Sequence, residues 1–329
     1  MQPLYQVLDS LHLPNGAYLA SSSQDYAYVW LRDMCYAILP FLDSSCGRYV
    51  QACHALLAMF RSYEWKIDIH NQRKPELDFE YIHARYTSDL RETAIPWGHA
   101  QNDAIGLFLW CVGRGNSLGK AVVRDAVDLR LLQKLVGYLD RLEYWHAPDN
   151  GMWEEGMEVH ASSVGACVAG LEAVRSLVNI PQGMLERGRD SLTQLLPHES
   201  NSKTVDLALL SLIYPYGVVS KTMATDILAN VRSALERSYG CIRYVGDRYY
   251  NEGSEAEWCF GFPWLGLCYW SVGDYPMAYD YWRKTERIIP LDGNIPELYI
   301  GGKGVPNGNA PLAWAVALTI LLWQRLAMR

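Results

Sequence analysis

Apolar residues recur along this chain with the 3.6-residue spacing of helices far more often than with the alternation of strands. Leu131, Leu132, Leu135, Val136, Leu139 and Leu142 mark one stripe. Val164, Cys167, Val168, Leu171, Val174 and Leu177 mark a second, and Leu312, Ala315, Val316, Thr319, Ile320 and Trp323 a third. Followed end to end, the pattern predicts twelve helices, near 2–11, 33–43, 46–64, 101–114, 124–143, 162–178, 182–196, 205–213, 220–237, 256–272, 274–289 and 310–327. Extended signal is sparse, and only 241–250 reads as a short hairpin.

Every other helix starts near 33, 101, 162, 205, 256 and 310, so a helical pair recurs about every 55 residues. No sequence repeat accompanies the period, which argues against a simple solenoid. Six hairpins closing into a double-walled all-α toroid, an (α/α)6 barrel, fit better. The second helix of each pair is expected to face solvent, as the charges of Arg124, Asp125, Asp128 and Arg130 suggest. With no linker or low-complexity stretch in between, residues 1–329 read as one domain. The polar motifs cluster just before the alternate helices: Tyr26 to Asp33, Trp97 to Asp103, Trp153 to Glu155, Arg243 and Glu297. In a closed toroid those loops share one end and converge on one pocket.

Composition narrows the function. The 329 residues are 50% hydrophobic and 20% charged, ordinary for a chain with a large core. A net charge of −7 without any Lys/Arg cluster argues against a nucleic-acid partner. No stretch approaches the ~20 apolar residues of a membrane helix. The start Met1-Gln2-Pro3-Leu4-Tyr5, with its early Asp9, does not read as a signal peptide. The eight cysteines form no CxxC pair, and Cys167 sits in an apolar run as a small hydrophobe. A reducing cytoplasm is the expected compartment, with no metal and no cofactor. His83, His146 and His160 lack ligand spacing and read as structural or solvated. Twelve Trp and 22 Tyr stand against six Phe, a balance of flat faces with polar tips that suits stacking on sugar rings, although most must pack the core.

Two acidic sites carry the chemistry. Gly151-Met152-Trp153-Glu154-Glu155-Gly156 and Ile295-Pro296-Glu297-Leu298-Tyr299 each set a glutamate among apolar neighbours, shortly after a turn former, Gly151 or Gly293. Such a setting disfavours the carboxylate and raises its pKa, and Glu155 beside Glu154 should push the same way. Hydrolysis of a glycosidic bond needs one carboxylic acid at the leaving oxygen and one carboxylate on the opposite face of the sugar.

Together these motifs resemble glycoside hydrolase family 15, the glucoamylase-like enzymes, and the related hydrolase-like domain of phosphorylase kinase alpha subunits. Asp25-Tyr26-Ala27-Tyr28-Val29-Trp30-Leu31-Arg32-Asp33 is similar to the family's first block, and Pro96-Trp97-Gly98-His99-Ala100-Gln101-Asn102-Asp103 to its second. Gly151 to Glu155 resembles the block whose first glutamate is the general acid and whose second contacts sugar. Arg243-Tyr244, with Asp247, Tyr249, Tyr250 and Asn251, resembles the block supplying a substrate-binding arginine. Pro296-Glu297, followed by Gly308-Asn309-Ala310-Pro311-Leu312-Ala313-Trp314, resembles the block that carries the general base. The likeness runs from about residue 15 to 325 and looks like the catalytic barrel alone. Ala161 to Gly165 and His99 are closer to the kinase subunit, which commonly carries a basic residue where this chain has Glu155.

The resemblance implies an inverting, exo-acting hydrolase that releases glucose from α-linked glucosides or oligosaccharides. Glu154 would be the acid and Glu297 the base. Tyr26, Trp30, Arg32, Asp33, Trp97, Gly98, Trp153, Glu155 and Arg243 would bind substrate. A non-catalytic glucan-binding domain like that of the kinase subunit is the alternative. Several residues carry a structural reading beside the functional one. Arg32 and Asp33 either hold sugar hydroxyls or pair at a helix start. Arg243 either meets hydroxyls or pairs with Asp247 across the hairpin, and Asn102-Asp103 are expected to cap the helix that follows.

Overall fold

A computed structural model describes residues 1–328. Its twelve α-helices among the described residues are α1 (Gln2–Ser10), α2 (Leu31–Ile38), α3 (Arg48–Ser62), α4 (Glu64–His70), α5 (Asn102–Ser117), α6 (Ala126–Leu142), α7 (Ala161–Val174), α8 (Met184–Leu195), α9 (Lys221–Leu235), α10 (Gly261–Val272), α11 (Tyr275–Ile288) and α12 (Ala313–Ala327). Six elements form a closed inner ring in which each packs on the next: α2, α5, α7, a 3-10 helix at Leu207–Leu212, α10, α12 and α2 again. Around it α3, α6, α8, α9 and α11 form the outer wall, and α1 completes the sixth pair by packing on α12. The chain is an (α/α)6 toroid.

Burial separates the two walls. All eight residues of α2 are buried, whereas α8 buries only Met184, Gly188 and Leu192, a single stripe. Inner helices also approach one another closely through glycine. A Cβ on Gly106 of α5 would lie 2.5 Å from the Ala166 carbonyl carbon, and one on Gly170 of α7 would lie 2.3 Å from the Gly106 oxygen. Any larger residue would force these two helices apart.

The structure departs from the periodicity at three places. The apolar run expected as a helix at 205–213 is a 3-10 helix, begun by Asp206, whose carboxylate accepts from the Ala208 N–H. The helix expected to end near 64 ends at Ser62, Tyr63 leaves helical backbone, and a separate helix, α4, starts at Glu64. The hairpin expected at 241–250 is absent. Cys241 instead bridges to Trp258 and Tyr244 to Asp206, while the extended pairs lie elsewhere. Val29–Trp30 (β1) pairs antiparallel with Arg85–Tyr86 (β2). Glu257–Trp258 (β3), Leu298–Ile300 (β4) and Val305–Pro306 (β5) form a small antiparallel sheet in the order β3-β4-β5. No helix among the described residues is long and apolar enough to cross a membrane.

Candidate active site

The segments leading into all six inner elements meet around one cavity of about 780 Å³. Tyr26, Trp30, Arg32 and Asp33 come from the start of α2, Trp97 from the approach to α5, and Trp153, Glu154 and Glu155 from the approach to α7. Ser202 and Lys203 precede the 3-10 helix, Arg243, Tyr244, Arg248, Tyr249 and Trp258 precede α10, and Glu297 precedes α12. Aromatic rings build its floor. Trp153 lies parallel to Phe260 at 6.1 Å, and Phe260 stacks on Trp314 at 4.5 Å.

Glu154 sits on a turn with φ of +62°, a left-handed conformation that non-glycine residues adopt at a cost of about 1–3 kcal/mol. Such strain concentrates where position matters more than stability. Trp97 Nε1 donates to Glu154 Oε2 at 2.9 Å, while Oε1 faces Arg32 Nη1 at 3.8 Å and has no hydrogen-bond partner. The side chain is 15% exposed, at the cavity surface. Burial raises its pKa, and the Arg32 charge with the Gln101 and Trp97 hydrogen bonds partly opposes that. Glu155 is not the source of the shift. It turns to the other side, accepting from Lys203 Nζ at 2.6 Å, Arg243 Nη2 at 3.0 Å and Tyr244 OH at 2.9 Å.

Glu297 is held more tightly. Its backbone N–H donates to Asn309 O and its carbonyl accepts from Cys259 N–H, which fixes it between β3 and the Asn307–Asn309 turn. Asn307 Nδ2 and Asn309 Nδ2 both donate to Oε2, at 2.6 and 2.9 Å, and Tyr249 OH lies 3.4 Å from the same oxygen. The residue has no solvent exposure. Burial again raises the pKa, while the amide donors and the Tyr26 hydroxyl pull it back. Tyr26 OH and Tyr249 OH share a 2.8 Å hydrogen bond beside it.

Asp33 faces both glutamates. Its pKa rises to about 7 because it is buried; Arg32 opposes the rise, and the charges of Glu154 and Glu297 add to it. Arg32 does not pair with Asp33 as a helix-start pair. Its Nε meets Asp103 Oδ2 at 2.6 Å, its Nη2 meets Gln101 Oε1 at 2.5 Å, and the Gly151 carbonyl lies 3.5 Å away. One buried guanidinium thus ties the starts of α2 and α5 to the Glu154 turn. This also corrects the expected capping role of Asn102-Asp103. Both lie inside α5, Asp103 serves Arg32, and the Asn102 N–H is satisfied by Asp149 Oδ2 at 2.9 Å.

Arg243 makes the expected pairing with Asp247, without a hairpin, and adds a contact to Glu155. It grips Asp247 through Nε at 2.7 Å and Nη2 at 2.6 Å while reaching Glu155. The rings of Trp258 and Tyr249 surround it at 5.1 and 5.3 Å, and the neighbouring carboxylates hold its charge firmly on. Trp153 Nε1 is anchored on Asp206 Oδ1 at 2.8 Å. Trp30 packs on Tyr26 at 5.1 Å, and Arg85 lies 3.9 Å above the Trp97 ring, which orients the indole toward Glu154.

Every residue expected to catalyse or to bind substrate lines this cavity except Gly98. Gly98 sits against Asn150, whose side chain lies 2.7 Å from where a Cβ would be, and its carbonyl accepts from Gln101, the residue that steadies Arg32. The structure adds Lys203, Trp258 and Asn307 to the site, and gives Tyr249, Asn309 and Trp314, named only as parts of motif blocks, places at or beside the cavity. For Asn307 the sequence signal is its place in the Asn-Gly-Asn turn that opens the final block, whereas Lys203 and Trp258 lie outside every motif. The three histidines read as structural lie apart from the cavity. His83 stacks on His99 at 3.7 Å, His146 sits by Glu143 at 3.5 Å, and buried His160 pairs with Glu199 at 3.3 Å.

Comparison with known proteins places this geometry. The chain is 27% identical over 341 residues to the probable phosphorylase b kinase regulatory subunit alpha of Caenorhabditis elegans, covering 85% of this chain and 27% of that protein. It is 30% identical over 300 residues to the liver isoform of that subunit from Oryctolagus cuniculus, covering 73% of this chain and 24% of that one. The chain therefore spans about a quarter of the length of these curated relatives. A wild-type glycosidase structure superposes with a TM-score of 0.83 at 21% identity, over 99% of this chain and 96% of the other. A glucoamylase from Hypocrea jecorina gives 0.70 at 13% identity, over 99% and 71%. These structures share the fold. The model of the family described as Glycosyl hydrolases family 15 matches residues 5–294, and the chain belongs to that family.

Proposed function

We propose that the protein is an inverting, exo-acting glycoside hydrolase that releases glucose from the non-reducing end of α-linked glucosides or oligosaccharides. One observation carries the reading: two carboxyl groups 143 positions apart in sequence, the largely buried Glu154 and the fully buried Glu297, line one aromatic cavity and are held in different ways. Glu154, whose pKa burial raises and whose Oε1 faces the cavity beside Arg32, donates its proton to the glycosidic oxygen. Glu297, fixed by two amides, takes a proton from the water that attacks the anomeric carbon from the opposite face. Asp33 and Arg32 hold hydroxyls of the terminal glucose, Trp30, Trp97 and Trp153 supply apolar faces, and Arg243 with Glu155 meets the sugar near the cleaved bond. A glycosidase of this fold solved in complex with glucose supports a carbohydrate substrate.

One observation favours a second reading, a glucan-binding domain without turnover: the curated relatives are regulatory subunits. The pair of carboxyl groups favours the enzyme, because binding a sugar requires neither a poised acid nor a fixed base. The test is glucose release by purified protein from maltose, maltotriose, isomaltose, dextran, trehalose and starch. Release from at least one is expected; oligosaccharide binding with no release from any would leave the binding-domain reading standing.

A further inference from the structure

A second pocket, of about 390 Å³, opens on the outer wall between α4 and the segment 79–94. Its volume falls in the range of about 300–1,000 Å³ typical of small-molecule sites. Two aromatic side chains flank it in an unusually exposed state, Trp65 at 58% and Phe79 at 62%.

The floor is polar and incompletely satisfied. His83 is 3% exposed and stacks on His99 at 3.7 Å; its ring nitrogens reach toward the Phe79 backbone and Glu92, 3.7 Å away, without a hydrogen bond of full geometry. The Thr93 hydroxyl is likewise buried without a partner. Buried polar atoms left unpaired are uncommon and call for something to bond them. The charges around them cancel in pairs. Lys66 Nζ meets Glu92 Oε1 at 2.5 Å, and Arg73 Nη2 meets Glu80 Oε1 at 2.5 Å.

We infer that this pocket is a second carbohydrate site, taking a neutral, polyhydroxylated ring of a glucan between Trp65 and Phe79, with hydroxyls reaching His83 and Thr93. Cancelled charge disfavours a phosphate or carboxylate ligand. Flat faces with bonding groups beneath match the two sides of a pyranose. None of these residues lines the cavity that holds Glu154 and Glu297, so the inference does not depend on catalysis.

The test is affinity electrophoresis of the full chain in gels containing soluble starch or dextran, beside a gel with no polysaccharide. Wild type should be retarded in at least one glucan gel. The double variant Trp65→Ala/Phe79→Ala should lose roughly tenfold in apparent affinity, as expected for two aromatic contacts. Its circular dichroism should match wild type, and so should any glucose release from maltose or isomaltose. His83→Phe, which fills the ring's place without its nitrogens, should weaken retardation in the same direction. Equal retardation of the double variant and wild type would overturn the inference, as would absence of wild-type retardation in both glucans. Failure of glucose release from every substrate, with retardation still lost in the double variant, would count against the hydrolase and leave this site standing.

Discussion

The turn that carries Glu154 and the strand entry that carries Glu297 solve opposite problems. Glu154 rides on strained left-handed backbone, accepts one strong hydrogen bond from an indole, and is only loosely approached by Gln101 and a guanidinium 3.8 Å away. Glu297 is locked by backbone bonds on both sides and by two side-chain amides on one oxygen. An acid must give its proton away and needs a loosely held oxygen, whereas a base must hold a water still and needs a fixed one. Burial raises both pKa values, so the difference lies in the hydrogen bonds and not in the solvation.

Removing either carboxyl should have the largest effect. Glu154→Gln and Glu297→Gln should each cut turnover by on the order of 10²–10⁴-fold while leaving oligosaccharide binding largely intact, measured as kcat and Kd on one substrate. Full activity in both variants would remove them from the proposed roles. Next comes the support of the base. Asn309→Ala deletes a bond that favours the Glu297 carboxylate, so its pKa should climb and the acidic limb of the kcat/KM profile should move to higher pH. A moved alkaline limb instead would exchange the two assignments.

Trp97→Phe tests the other side more gently. It removes the one indole donor to Glu154, which also favours the charged form, so here the alkaline limb should shift upward, with kcat at neutral pH within a few-fold of wild type. The smallest effect belongs to Asp206, which anchors Trp153 and has one buried oxygen without a hydrogen bond. Burial and Glu199 raise its pKa to about 7 from 3.8. The folded state then binds this proton more tightly than the unfolded chain, so stability from this group falls as pH rises from about 4 through 7. Asp206→Asn cannot ionise, and should gain on the order of 1 kcal/mol over wild type between pH 5 and pH 8 in urea unfolding.

Much of the barrel was legible because its inner helices carry apolar runs and its outer helices single stripes, patterns that differ in burial but share one period. The 3-10 helix at Leu207–Leu212 was not, since a short run such as Leu-Ala-Leu-Leu-Ser-Leu carries no mark distinguishing one helical geometry from another. Strands of two and three residues, β1 to β5, are too short for alternation to register. Within the site, the residues that face the cavity were legible because each precedes an inner helix. Two supports were harder to read, because Asp103 for Arg32 and Asp206 for Trp153 are joined to them only by the packing of successive hairpins, whereas Asn307 reaches Glu297 through the short β4-β5 hairpin.

The central claim is that Glu154 and Glu297 act from opposite faces of the sugar, and the anomer of the first product reports on that directly. Proton NMR during the opening minutes of hydrolysis, on whichever screened substrate releases glucose, should show β-glucose accumulating before mutarotation brings in the α-anomer. α-Glucose as the first product would contradict the account, because it requires the second carboxylate to attack the anomeric carbon itself instead of activating water.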